Sequence, residues 1–182
     1  LMISRLANGF DLKRGKDYDI HGDPKDNYSA IKLFEESPKQ FEIWAVGLAE
    51  GVPQPDKVGD RGVDGKVYFH DQEGGLQWAV CQVKGGHLTP SLIRDFAHVI
   101  EREKAAMGFF ICLERPTKGM YNEAEELGFF TVGRRNIPKL QIRTIKELLE
   151  EGKEFERPEG YLLKSGSGKK LTRERDQGKM QF

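Results

Sequence analysis

The chain has 182 residues, 37% hydrophobic, 10% aromatic and 32% charged, with 29 basic side chains against 29 acidic ones. That length suits one domain with a single sizeable core, and no run approaches the roughly 18 apolar residues of a membrane-spanning helix. Neutral total charge excludes a protein coated in positive charge, while local basic surfaces stay open.

Along the chain, residues 1–26 form a polar, Gly- and Asp-rich lead-in with one short strand expected at Tyr18-Asp19-Ile20. The start lacks the charged segment, apolar run and cleavage site of a signal peptide, and Leu1 suggests a piece cut from a longer chain. Asn27 reads as the cap of a helix carrying Tyr28, Ala30, Ile31, Leu33 and Phe34. Ser37-Pro38 opens a second helix with Phe41, Trp44, Ala45 and Leu48 at helical spacing, stopped by Gly51 and Pro53. After the glycine-rich stretch Val58 to Gly65, Lys66 to His70 and Leu76 to Lys84 read as a hairpin. Thr89-Pro90 opens a long helix, and Met107 to Leu113 is continuously apolar, as in a strand covered on both faces. Pro116 to Leu127 reads as a helix, Phe129 to Val132 and Leu140 to Arg143 as strands, and Thr144 to Glu150 as a last helix.

Alternating strands and helices predict an α/β fold, a partly parallel mixed sheet with helices on both faces. The core is expected over residues 27–155, followed by a basic tail over 156–182 containing the linker-like Lys164-Ser165-Gly166-Ser167-Gly168-Lys169-Lys170. Cys81 and Cys112 both sit in apolar strands, which fits buried thiols in a reducing cytoplasm. With four scattered histidines they give no zinc spacing.

Chemistry concentrates at the hairpin. Strand alternation turns Gln82 and Lys84 to one face, and Asp64 stands at the entry of the partner strand. A carboxylate, an amide oxygen and a lysine at one end of a sheet suit phosphodiester hydrolysis. The oxygens, with the Val83 carbonyl as a further ligand, would hold Mg²⁺, and Mn²⁺ could replace it. Lys84 would then orient the attacking water and stabilise developing charge. Gly62 and Gly65 are expected to clear room for a bulky duplex. As a bare pattern this is weak: the competing reading is a loop Asp capping a turn and two exposed polar residues on a strand.

The runs Asp60-Arg61-Gly62-Val63-Asp64-Gly65 and Cys81-Gln82-Val83-Lys84-Gly85-Gly86 resemble the Mrr-like branch of the PD-(D/E)XK restriction endonuclease superfamily. Gln40 to Ala45, Glu101 to Gly108 and Glu114 to Met120 resemble a nuclease-like domain found C-terminal to bacterial site-specific adenine DNA methyltransferases. The likeness spans about residues 15–155. It implies an αβββαβα core, Asp64 and Gln82 at the metal, Lys84 as catalytic lysine, and Glu42 completing the site. It also implies a methyltransferase elsewhere in the natural polypeptide. The neutral Gln82 removes a charge from the metal site and leaves open a domain that holds DNA without cutting it.

Arg94 on the long helix, Arg134 and Arg135 in an acid-free basic run, and His87 just past the motif are candidates for contacts to DNA phosphates. The plainer reading of each is a solvated or paired surface charge. No nucleotide-binding loop, dinucleotide fingerprint or nucleophile–histidine pairing is present. The expectation is a Mg²⁺-dependent endodeoxyribonuclease acting on duplex DNA, in a restriction–modification or defence protein, with a homodimer plausible because two strands need two sites. The second reading is a silent nuclease-like DNA-binding module; the third is an interaction domain that never meets nucleic acid.

Overall fold

The computed structural model of the chain describes Phe10, Asp17 and residues 22–54, 62–71 and 75–158. The helices and strands from Asn27 to Leu149 fall in one unit, Ile20–Leu163. A second unit groups Met2–Asp19 with Lys164–Phe182, and of it only Phe10 and Asp17 are among the described residues, both exposed. The strand expected at 18–20, the tail from 159 onward and Asp60 lie outside the described residues.

Helix α1 (Asn27–Glu36) starts one residue earlier than Asn27 as cap would require, because Asp26 is the cap. Its carboxylate accepts from the Ser29 amide while the Ser29 hydroxyl accepts from the Asp26 amide, a reciprocal capping box. Helix α2 (Pro38–Leu48) follows on the Ser37 cap with Pro38 in the first position, as its sequence predicts. A two-residue strand β1 (Val52–Pro53) pairs antiparallel with β2 (Gly65–His70), which pairs antiparallel with β3 (Leu76–Lys84). Helix α3 (Pro90–Arg102) leads to β4 (Met107–Cys112), parallel to β3. Helix α4 (Lys118–Glu126), the hairpin β5 (Phe129–Val132) and β6 (Arg135–Pro138), strand β7 (Leu140–Thr144) and helix α5 (Ile145–Leu149) complete the order. β7 joins β4 in parallel, giving a mixed sheet ordered β1-β2-β3-β4-β7, with β5–β6 as a separate ribbon.

The sheet divides the core in two. On one face Ala79, Cys81, Val83, Phe109 and Ile111 meet Phe41, Ala45 and Val46 of α2, with Ile137, Ile145 and Phe155. On the other, Val80, Phe110, Cys112 and Ile142 meet Ile93, Phe96 and Ile100 of α3 and Met120 and Ala124 of α4. All six residues of β4 are buried, as its continuous apolar run predicts. Cys81 and Cys112 are free thiols on opposite faces, each with burial as the main cause of a raised pKa, Cys112 to about 12. Among the described residues no helix is long and apolar enough to cross a membrane.

Candidate functional site

The hairpin ladder runs in register from His70↔Leu76 to Gly65↔Cys81, then departs from it. One residue beyond, the Asp64 amide donates to the carbonyl of Cys81 (2.9 Å), and the Asp64 carbonyl accepts from the Gln54 amide (3.0 Å). β2 has turned away, so the Val83 amide on β3 has no backbone acceptor across the hairpin. Asp64 supplies one: its carboxylate accepts from the Val83 N–H at 2.7 Å. The short charge-assisted bond replaces a ladder bond where the hairpin splits.

Several charged groups surround this carboxylate. Burial raises the Asp64 pKa, the Val83 amide opposes that rise, the negative charge of Glu42 adds to it, and Lys84 and Lys39 oppose it. Glu42 stands on α2, one turn after Lys39, and the two pair at 3.3 Å with each about one-third exposed. Lys84, half-buried at the last position of β3, accepts the Leu113 amide at its carbonyl. Glu42 and Lys84 are therefore electrostatic neighbours of Asp64. Lys39 was not singled out from sequence, although its i, i+3 spacing to Glu42 on a helix is a readable signal.

Gln82 is 8% exposed, and its Oε1 is buried without a hydrogen-bond partner. The exposed strand glutamine of the competing reading is thus a buried one. Its neighbour Val80 belongs to the core under α3, and a Cβ built on Gly62 would lie 3.0 Å from Gln82 Nε2 and 3.5 Å from Val99 of α3. Gly62 has φ +82°, a conformation that suits glycine.

The expectation that Gly62 and Gly65 clear room for DNA is corrected by what fills the space. A Cβ on Gly65 would lie 2.4 Å from Val46 Cγ1, so α2 packs directly on this backbone. Gly62 makes way for the Gln82 side chain. Both glycines serve close internal packing.

The remaining sequence candidates lie apart. His87 is exposed in the loop after β3. Arg94 on α3 pairs with Glu123 of α4, which spends its charge within the protein. Arg134 and Arg135 sit at the turn of the β5–β6 ribbon. The base of that ribbon adjoins the N-terminal end of β4, where the Lys139 carbonyl accepts the Gly108 amide. Lys84 lies beside Cys112 at the other end of β4.

The donor set fits a Mg²⁺ centre poorly. One oxygen of Asp64 accepts from the Val83 amide, Glu42 pairs with Lys39, and Gln82 brings no charge. Among the described residues no three His, Cys, Asp or Glu side chains gather as a metal-binding group. The Val83 amide donates to Asp64, and its side chain lies in the core.

A family model described as NACHT-associated inactive Restriction Endonuclease 1 matches residues 38–150. Comparison with curated proteins gives no match. The matched span runs from the first residue of α2 to the residue after α5, and so contains the whole sheet and every site residue considered above. The description "inactive" overturns the expectation of a Mg²⁺-dependent endodeoxyribonuclease.

Proposed function

The chain belongs to the NACHT-associated inactive restriction endonuclease 1 family, and on that premise we propose that it is a catalytically silent, nuclease-like module that binds duplex DNA. The observation that carries the silent half is the family's description as inactive, and the neutral Gln82 at the motif agrees with it. One oxygen of the Asp64 carboxylate stands in for a missing backbone acceptor. Removing a charge at Gln82 and pairing Glu42 with Lys39 lower the local negative charge further.

Duplex DNA as the partner is supported by the fold and by exposed cations on a chain of zero net charge. The family's name supports a neighbour too. We place the domain beside a NACHT module in its natural setting, in preference to the DNA methyltransferase that the sequence resemblance implied. The restriction–modification context gives way with it.

Supercoiled plasmid incubated with the protein in Mg²⁺ and in Mn²⁺ tests this reading. The expected outcome is retarded but covalently intact plasmid, for the wild type and for Lys84→Ala alike. Nicked or linear product made by the wild type and lost in Lys84→Ala would overturn it.

A further inference from the structure

Resting on the reading that the domain binds DNA, we propose that the β5–β6 ribbon is the surface that contacts the duplex, at the sheet end away from Asp64 and Lys84. The ribbon is its own two-stranded unit, paired Phe129↔Pro138 to Val132↔Arg135. Gly133, at φ +58°, is the first central residue of its turn and Arg134 the second. Glycine in that position with positive φ gives the tight primed turn that keeps two strands twisted together.

The ribbon has an inner and an outer face. Phe130 sets its ring edge-on to Phe69 of β2 with centroids 6.2 Å apart, and Ile137 is 1% exposed in the core. These two residues anchor the ribbon and fix its orientation. Alternation then turns Phe129, Thr131 and Asn136 outward. Phe129 is 63% exposed, and the Thr131 hydroxyl donates to Asn136 Oδ1 at 3.0 Å, leaving the Asn136 amide group facing out.

Charge singles out the partner. From Phe129 to Lys146 there is no acidic residue, while Arg134 stands at the ribbon's tip and Lys139 at its exit. Within that run Arg143 is turned inward, donating to the carbonyls of Glu154 and Ile142. The nearest preceding acids, Glu125 and Glu126, end α4 at the ribbon's base. Four strand residues separate that base from the turn, roughly 13 Å. A narrow ribbon with a cationic tip, an outward aromatic and an amide is a shape the major groove admits.

The location sets this contact apart from cleavage. The ribbon adjoins Gly108 at the start of β4, and the former catalytic end lies beside Cys112 at its finish. A duplex held here would not need the Asp64 carboxylate at all.

A fluorescein-labelled blunt 20-base-pair duplex is titrated with the full chain at several salt concentrations, beside Arg134→Glu, Phe129→Ala and, as a control on α1, Lys32→Ala. Arg134→Glu is expected to raise Kd about tenfold or more and to flatten the plot of log K against log salt by about one. Phe129→Ala is expected to weaken binding severalfold with the slope unchanged, and Lys32→Ala to match the wild type. Unaltered thermal melts confirm that the exposed substitutions leave folding intact. Wild-type binding with no effect of Arg134→Glu overturns the ribbon assignment alone. Absence of binding by the wild type at low salt overturns the DNA reading itself. Stronger competition by single strands than by duplex overturns the choice of partner.

Discussion

At the scale of single residues, Asp64 defines what kind of site this is. Its carboxylate is the hydrogen-bond acceptor of the buried Val83 amide, and burial holds its pKa above the ordinary 3.8. A carboxyl that titrates higher folded than unfolded takes up a proton on folding. Its ionised form therefore costs stability at neutral pH, and that cost disappears as pH falls through the raised value towards 3.8. Asparagine keeps an acceptor and carries no charge. Thermal melts should thus show Asp64→Asn at least as stable as the wild type at neutral pH, with the difference closing by about pH 4. Asp64→Ala leaves the Val83 amide unsatisfied and should lose about 1–3 kcal/mol. An Asp64→Ala protein as stable as Asp64→Asn would show that the bond has no structural role. This part of the site was only partly legible in sequence. Asp64, Gln82 and Lys84 could be picked out by position, yet the pattern Asp, spacer, Gln-x-Lys reads the same whether the Asp faces a cation or a backbone amide. What decides between them is the departure of β2 from the ladder after Gly65, a tertiary event.

At the scale of elements, the hairpin, the long helix, the buried strand and the Ser37-Pro38 helix start were all legible because each carries a local signal: period-two alternation, an apolar stripe, a continuous apolar run or a cap. β1 and β6 were not. β1 is two residues long and exists because Val52 and Pro53 meet Lys66 and Gly65, and β6 (Arg-Asn-Ile-Pro) has too little apolar alternation to show on its own. The segment after α5 was equally silent. Gln141, 4% exposed, donates from its side-chain amide to the Glu156 carbonyl (2.7 Å) and accepts the Glu156 amide (2.8 Å). A side chain thereby acts as the strand partner that edge strand β7 lacks, covering an edge that would otherwise invite pairing. Phe155, seated by this clasp, stacks on Phe109 with centroids 4.4 Å apart and planes 14° apart. Phe155→Ala should cost about 3 kcal/mol. Limited proteolysis should then cut near residues 153–158 in the variant well before the wild type. Equal cleavage of the two proteins would show that the segment is not held by this ring.

At the scale of the whole molecule, the fold class was readable and the activity was not. The order of elements and the burial of β4 follow from patterns that any restriction endonuclease-like domain must share, because they build the core. Activity rests on the state of three or four polar groups, and these can lose their chemistry while every core residue stays in place. Gln82 illustrates the point: a neutral side chain, buried with an unpaired Oε1, occupies a motif position without supplying the charge that a metal centre needs. The basic residues divide in the same way. Arg94 and Arg143 look alike in sequence to Arg134, but one is paired with Glu123 and the other holds backbone carbonyls, whereas Arg134 stands exposed at the ribbon turn.

The measurement that bears most directly on binding without cutting is the fluorescence anisotropy of an end-labelled duplex, followed for hours after adding the full chain in Mg²⁺ at low and at high salt. Anisotropy should rise on mixing, rise less at high salt, and then hold steady. A rise that decays with time, reporting a shortened labelled fragment, would contradict the silent site, and no rise even at low salt would contradict the DNA-binding role.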